Sequence, residues 1–125
     1  MKKTILLVED EEELRELLAN ELRDFDFGVI EAKNGREAVQ ILASQSVDIV
    51  VTDLRMPECD GLELLSHIRK TIGSSVRTVL MSGFADCTQS QAQTFGANEL
   101  LHKPFSLQQF VETIENLLKT PQPVI

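Results

Sequence analysis

Short runs of consecutive apolar residues alternate along the chain with longer stretches in which apolar residues recur every three or four positions. The short runs predict buried strands, and the wider spacing predicts amphipathic helices. We predict strands at residues 4–8, 29–30, 48–52, 77–81 and 99–101, each followed by a helix, at residues 11–25, 36–44, 62–72, 86–95 and 107–118.

The first predicted helix shows the clearest single stripe. Its apolar positions are Leu14, Leu17, Leu18, Leu22 and Phe25. Steps of three and four place these side chains on one face, which predicts that they pack against the core. In the last predicted helix, Ser106 and Gln109 have the spacing of a capping box.

The alternation of strands and helices predicts the fold class. Strands that are apolar on both faces and separated by helices are typical of a parallel sheet covered on both sides. We therefore predict an α/β, flavodoxin-like, doubly wound five-stranded parallel sheet of order 2-1-3-4-5 with five helices. In such sheets the functional crevice lies at the carboxyl ends of the strands, between strands 1 and 3.

Composition narrows the class of protein. The chain has 125 residues, of which 42% are hydrophobic, as expected for one ordinary globular domain. Its net charge of −8 argues against direct binding to nucleic acid or to an anionic membrane. The apolar run after the basic start ends at Glu9, too early for a signal peptide, so a soluble, cytoplasmic protein is expected. Cys59 and Cys87 are expected to be unpaired thiols.

Charged and polar residues leave the carboxyl ends of four predicted strands. They are Glu9 and Asp10 after strand 1, Asp53 after strand 3, Ser82 after strand 4 and Lys103 after strand 5. Crowded carboxylates resist ionisation unless a cation joins them. Oxygen-only ligands in an open site favour Mg²⁺ over Ca²⁺.

This set of groups suits phosphoryl transfer to a carboxylate. One carboxylate can act as nucleophile and form an acyl phosphate, while the metal and an ammonium neutralise the transferring group. Taken singly, each residue has a structural explanation, such as a helix cap or a turn. Their joint occurrence at the ends of one sheet favours the functional interpretation.

The sequence resembles the receiver domains of two-component response regulators over about residues 3–119. The motifs that carry the resemblance are Val8-Glu9-Asp10-Glu11, TDLRMPECDG at residues 52–61, Met81-Ser82-Gly83, and Gly96-Ala97 with Lys103-Pro104-Phe105. The resemblance implies a receiver domain at residues 1–119 and a tail or the start of a linker at 120–125. It also implies a cis bond before Pro104.

The resemblance assigns roles to the site residues. It implies that Asp53 is the phosphoacceptor, that Ser82 is the switch hydroxyl and that Lys103 contacts the phosphoryl group. For Mg²⁺, it implies Asp10 and Asp53 as direct ligands, Glu9 as a ligand through water, and the backbone carbonyl of Arg55 as a further ligand.

The resemblance also implies partners. A histidine kinase or phosphotransfer protein would supply the phosphoryl group. An output domain or target would use the face formed by helix 4, strand 5 and helix 5, with homodimerisation on activation as a further possibility. The chain would be a signalling phosphoacceptor rather than an enzyme, limited to self-catalysed phosphotransfer and slow autodephosphorylation.

One position departs from the family, because Leu100 stands where the aromatic switch residue is usual.

Other classes of protein fit less well. A phosphatase using an aspartyl phosphate needs a second Asp two residues after the nucleophile, where this chain has Arg55. A flavodoxin needs a phosphate-binding loop after strand 1, where residues 9–13 are all acidic. A degenerate receiver used only for docking would lack some of the site residues.

Overall fold

The computed structural model describes residues 2–56, 59–83 and 88–119. The strands are β1 (Thr4–Val8), β2 (Gly28–Ala32), β3 (Ile49–Asp53), β4 (Arg77–Gly83) and β5 (Glu99–Lys103). The helices are α1 (Glu12–Asp24), α2 (Gly35–Ser44), α3 (Gly61–Thr71), α4 (Gln89–Thr94) and α5 (Leu107–Lys119). No helix in this described part of the chain is long and apolar enough to cross a membrane.

The strands form one parallel sheet in the order β2-β1-β3-β4-β5, which confirms the predicted fold class. Apolar side chains on one face of the sheet pack with α1 and α5 in one core cluster. Those on the other face pack with α2 and α3, and with α4, in two further clusters. All five residues of β3 are buried, as expected for a central strand covered on both faces.

The last two strands are longer than predicted. Ser82 and Gly83 belong to β4, where the sequence suggested a break, because they pair with His102 and Lys103 of β5. The ladder therefore extends to the edge at which the charged residues lie. The cis peptide bond between Lys103 and Pro104 is present, as the resemblance implied.

Several helices have a side-chain cap at their first turn. Asp60 caps α3 by accepting from the amide of Glu63 at 2.9 Å, and the Glu63 side chain accepts in return from the amide of Asp60. Ser106 caps α5 by accepting from the amide of Gln109 at 3.0 Å, which is one of the two hydrogen bonds of the capping box that the sequence predicted. Each cap satisfies an amide that the helix itself leaves without a partner.

The stripe predicted on α1 is only partly buried. Leu18 and Leu22 are fully buried, whereas Leu17 and Phe25 are 52% and 49% exposed. The sheet and α5 cover a narrower arc of α1 than the apolar stripe spans, so the prediction that all five side chains pack inward was wrong.

Three predictions concern residues outside the described ranges. Part of the predicted fourth helix, the tail at residues 120–125 and Cys87 lie there. Cys59 is described, and it is a free, half-buried thiol.

Gly61 fits tightly between β3 and the rest of the fold. A Cβ at this position would lie 2.4 Å from the backbone oxygen of Asp53 and 2.9 Å from the Cα of Leu54. We expect Gly61→Ala to lower the free energy of unfolding in urea by roughly 1–3 kcal/mol, because the backbone must shift to admit the methyl group.

Gly28→Ala is the matched control for this prediction. A Cβ there would meet its nearest atom at 3.7 Å, an ordinary contact. We expect a change within about 0.5 kcal/mol for this variant. An unchanged urea midpoint for Gly61→Ala would contradict the packing argument.

Candidate functional site

The predicted site residues lie at the carboxyl ends of neighbouring strands. Glu9 and Asp10 follow β1, Asp53 ends β3, and Lys103 ends β5. Ser82 is the penultimate residue of β4. Parallel pairing aligns these ends, since Asp53 is the partner of Met81, and Gly83 is the partner of Lys103.

Carboxylate oxygens of Glu9, Asp10 and Asp53 all lie within 4.8 Å of one another. Glu9 and Asp53 are buried, with 1% and 8% exposure, whereas Asp10 is exposed. An all-oxygen group with one side open to water matches the preferences of a hard, partly hydrated cation such as Mg²⁺. These residues therefore fit the metal that the sequence predicted.

Lys103 bridges two of the carboxylates. Its Nζ lies 3.0 Å from Oε1 of Glu9 and 3.1 Å from Oδ1 of Asp53. The Lys103 side chain is 29% exposed, so the ion pairs are partly shielded from solvent. One ammonium thus offsets part of the negative charge at the strand ends.

Burial and crowding change the acidity of these groups. Burial is the main cause of the raised pKa of Glu9, and the negative charge of Asp53 adds to it. Burial likewise raises the pKa of Asp53 above its ordinary 3.8, although the charge of Lys103 opposes that shift. Burial alone would lower the pKa of Lys103, but the hydrogen bond to Glu9 and the charge of Asp53 raise it.

The loop between β1 and α1 is held by an arginine that the sequence analysis missed. Arg15 donates from Nη1 to the backbone oxygen of Glu9 at 2.9 Å, and from Nε to Glu31 Oε1 at 3.3 Å. The amide of Glu11 donates to Oε2 of Glu9 at 3.1 Å. Glu9 is thereby fixed through both its backbone and its side chain. The sequence feature that could have indicated this contact is the position of Arg15, a charged residue directly beside the apolar stripe of α1.

Ser82 and Arg55 are the two remaining predicted site residues. The hydroxyl of Ser82, which is 1% exposed, donates to the backbone oxygen of Gly83 at 2.9 Å. Arg55 is exposed and follows Leu54. The amide of Leu54 donates to Met81, and the Leu54 oxygen accepts from the amide of Gly61, both at 2.8 Å. These bonds fix the backbone directly before Arg55.

Leu100, the position that departs from the family pattern, is buried. It is 8% exposed and lies in one apolar cluster with Leu54 and Leu80 of the sheet region and Ala92 of α4. A second group that the sequence analysis missed lies at the opposite end of the sheet from the site, where Arg69 donates to the backbone oxygen of Gly96 at 3.0 Å from Nε and 2.7 Å from Nη2.

The strand order and the charged groups at the carboxyl ends of the strands define a doubly wound, flavodoxin-like α/β domain with its polar site where this class of fold places its functional crevice. Residues 5–115 match the model of the response regulator receiver domain. The chain belongs to this family, as the resemblance in the sequence indicated.

Similar proteins agree with this assignment. The chain is 38% identical over 121 residues to the sensor kinase CckA of Brucella abortus, covering 93% of this chain and 12% of that protein. It is 34% identical over 119 residues to the response regulator MprA of Mycolicibacterium vanbaalenii, covering 95% and 52%. The chain therefore spans about half the length of MprA and far less of CckA.

A solved structure of similar sequence also has this fold. The response regulator TrrA of Thermotoga maritima, in complex with Mg²⁺-BeF, superimposes with a TM-score of 0.83 at 32% identity. The match covers 92% of this chain and 98% of TrrA.

We expect Asp53→Asn to stabilise the metal-free protein by on the order of 1 kcal/mol, because it removes a buried charge from a crowded acidic group. The raised pKa sets the pH dependence. The folded state holds a proton on Asp53 above pH 3.8, where the unfolded chain has lost it, so wild-type stability falls as pH rises through this window. The difference in free energy of unfolding between Asp53→Asn and the wild type should therefore increase with pH.

Urea unfolding between about pH 4 and pH 8 in the presence of a chelator tests this expectation. Asp24→Asn makes the same chemical change at an exposed position on α1, where we expect little change in stability. A parallel pH dependence for the two variants would contradict the expectation.

Proposed function

We propose that this receiver domain accepts a phosphoryl group on Asp53, in a Mg²⁺-dependent reaction, from a histidine kinase or a histidine phosphotransfer protein. The observation that carries the proposal is the position of Asp53. Its carboxylate lies within 4.8 Å of the Glu9 and Asp10 oxygens and 3.1 Å from the ammonium of Lys103. Glu9 also belongs to the acidic group and pairs with Lys103, but its other carboxylate oxygen accepts from the amide of Glu11, so both of its oxygens are already engaged.

The proposed transfer is a substitution at phosphorus. A carboxylate oxygen of Asp53 forms a new P–O bond as the P–N bond of the donor phosphohistidine breaks, and the imidazole nitrogen keeps the electron pair. The product is an acyl phosphate. We propose that Asp10, Asp53 and the Arg55 carbonyl hold the metal, with Glu9 acting through water. When bound, Mg²⁺ neutralises charge on the phosphoryl oxygens.

Lys103 and Ser82 would respond to the new group. Lys103 now pairs with Asp53, and it can pass from the carboxylate to a phosphoryl oxygen while keeping Glu9. Ser82 now donates to the local Gly83 carbonyl, and rotation of its side chain can redirect the hydroxyl to the phosphoryl group. Phosphorylation adds negative charge and strong acceptor oxygens, which is the difference that can bias two conformations.

In this proposal, the effect of phosphorylation is transmitted to the face formed by α4, β5 and α5. Leu100 on β5 shares an apolar cluster with Ala92 of α4 and with Leu54, the residue after Asp53. We propose that a partner or output domain recognises this face, with homodimerisation on activation as one form of that recognition.

Two further assignments belong to the same proposal. Residues 1–119 would form the receiver domain, located in the cytoplasm. The domain would act as a signalling phosphoacceptor, limited to its own phosphotransfer and slow dephosphorylation.

We expect the wild-type protein to gain a phosphoryl adduct with acetyl phosphate only when Mg²⁺ is present, and Asp53→Asn to gain none. An amide is too weak a nucleophile to replace the carboxylate. Intact-protein mass spectrometry measures the adduct, and hydroxylamine should remove it because acyl phosphates are labile to strong nucleophiles.

Asp60→Asn is the matched control for labelling. It makes the same change near the site and keeps a good cap for α3, since Asn and Asp cap helices about equally well. It should be labelled like wild type. A wild-type adduct on Asp53→Asn would refute the assignment of the phosphoacceptor.

A second expectation concerns signal propagation. With Mg²⁺ and beryllofluoride, amide NMR shifts in the wild-type protein should extend from the site into residues 88–103. In Leu100→Ala, the shifts should extend over fewer of these residues, because the substitution removes the apolar contact between β5 and α4.

Leu101→Ala is the control for this experiment, since Leu101 is a buried neighbour that faces the other core cluster. Both variants lose a buried leucine, so both should lose roughly 2–5 kcal/mol of stability. Equal spread of the shifts in the two variants would show that Leu100 does not carry the signal.

A further inference from the structure

The peptide unit between Glu9 and Asp10 connects two of the three acidic site residues, and it is held at both ends. The amide of Glu9 donates to the backbone oxygen of Ala32 on β2 at 3.1 Å. The backbone oxygen of Glu9 accepts from Nη1 of Arg15 at 2.9 Å. Because a peptide unit is planar, holding its oxygen also orients the amide of Asp10.

The first turn of α1 depends on the same loop. Within the described part of the chain, the Glu11 side chain makes no capping hydrogen bond at the start of α1. The amide of Glu11 donates instead to Oε2 of Glu9 at 3.1 Å. The Arg15 side chain reaches back from α1 to the Glu9 oxygen, so it joins the helix to the loop that carries the acidic residues.

Glu31 on β2 holds Arg15 in place and divides its carboxylate between two arginines. Oε1 accepts from Nε of Arg15 at 3.3 Å, and Oε2 accepts from Nη2 of Arg23 at 3.2 Å. The Arg15 side chain is 15% exposed, whereas that of Arg23 is 45% exposed. Arg15 continues to the oxygen of Glu9, but Arg23 continues only to the oxygen of Val29, at 3.4 Å. Of these two ion pairs, only the one with Arg15 leads to the site.

We propose that Arg15 and Glu31 are positioning residues for the metal, which act through the Glu9 oxygen to hold Glu9 and Asp10 in the arrangement that Mg²⁺ requires. This role rests on the proposed function, since it requires the acidic group to bind Mg²⁺. Arg15 is itself a cation, so its charge alone would weaken the binding of a second cation nearby. Any contribution of Arg15 to Mg²⁺ affinity therefore comes from geometry.

Mg²⁺ titrated into isotope-labelled protein, with amide NMR shifts as the readout, measures the dissociation constant. Arg15→Lys keeps the charge but cannot donate from two separate nitrogens, so the affinity should fall roughly threefold to tenfold, at or below the usual effect of an outer residue on a metal site. Arg23→Lys is the matched control, because it makes the same change at the other oxygen of Glu31. It should bind Mg²⁺ within about twofold of wild type, as for an exposed ion pair.

Glu31→Gln separates positioning from charge. Alone it should weaken Mg²⁺ binding, because Arg15 loses its ionic partner. Combined with Arg15→Lys it should add little, since the link from Glu31 to Glu9 is already broken. If Glu31 acted only through its negative charge, the two losses of affinity would multiply instead.

Hydrogen exchange of the Glu11 amide, measured with a chelator present, gives a readout that needs no metal. This amide donates to the Glu9 side chain, so its protection reports whether the loop keeps its form. Protection should be lost in Arg15→Lys and kept in Arg23→Lys. Melting temperatures show that each variant is folded, and Glu31→Gln carries the same test if Arg15→Lys does not fold.

Two results would overturn the positioning role and leave the proposed phosphorylation intact. They are wild-type Mg²⁺ affinity in Arg15→Lys, and equal losses of affinity in Arg15→Lys and Arg23→Lys, which would assign both arginines to stability alone. A wild-type protein that binds no Mg²⁺ would instead refute the metal site, and the proposed function and the positioning role would fail together.

Discussion

The close approach of three carboxylates at the ends of β1 and β3 is the constraint on which the rest of the structure depends. Like charges at this distance resist ionisation, and burial of Glu9 and Asp53 strengthens that resistance. The carboxylates stay close because Lys103 pairs with two of them, and because β1 and β3 are hydrogen-bonded neighbours up to Val8 and Thr52. A cation bound there would reduce the electrostatic repulsion among the carboxylates that the fold brings together.

The frame around the site is fixed by local polar contacts. Arg15 holds the backbone of Glu9, and the capping box of Asp60 fixes the start of α3 beside the end of β3. At the opposite end of the sheet, Arg69 holds the carbonyl of Gly96, whose φ of +99° suits glycine, just after α4. Helix α4 itself has six residues, of which only Ala92 is buried. Among the described helices, α4 thus has the fewest buried residues, and it belongs to the face that we propose for output.

Much of this could be predicted from the sequence because its signals are local. Continuous apolar runs predicted the strands, and their alternation with helices predicted the order of the strands in the sheet. Asp53 and Lys103 were therefore expected at the same edge of the sheet, at the carboxyl ends of the strands. The contacts of Arg15 and Arg69 could not be predicted, since they depend on distances between elements. The exposure of Leu17 and Phe25 was mispredicted, because periodicity locates an apolar stripe but not the width of the surface that covers it.

The position of Leu100 offers the proposed switch a route that needs no aromatic ring. It is 8% exposed and pairs in register with Leu80, two residues before Ser82 on β4. It also shares a cluster with Leu54, which follows Asp53, and with Ala92 of α4. Since packed interiors transmit displacement rather than absorb it, a shift of either strand end would reach α4 through these methyl groups. In the proposed switch, the path from the site to the face formed by α4, β5 and α5 would run through the core, and its sensitivity would depend on how closely Leu100 fills the space beneath α4.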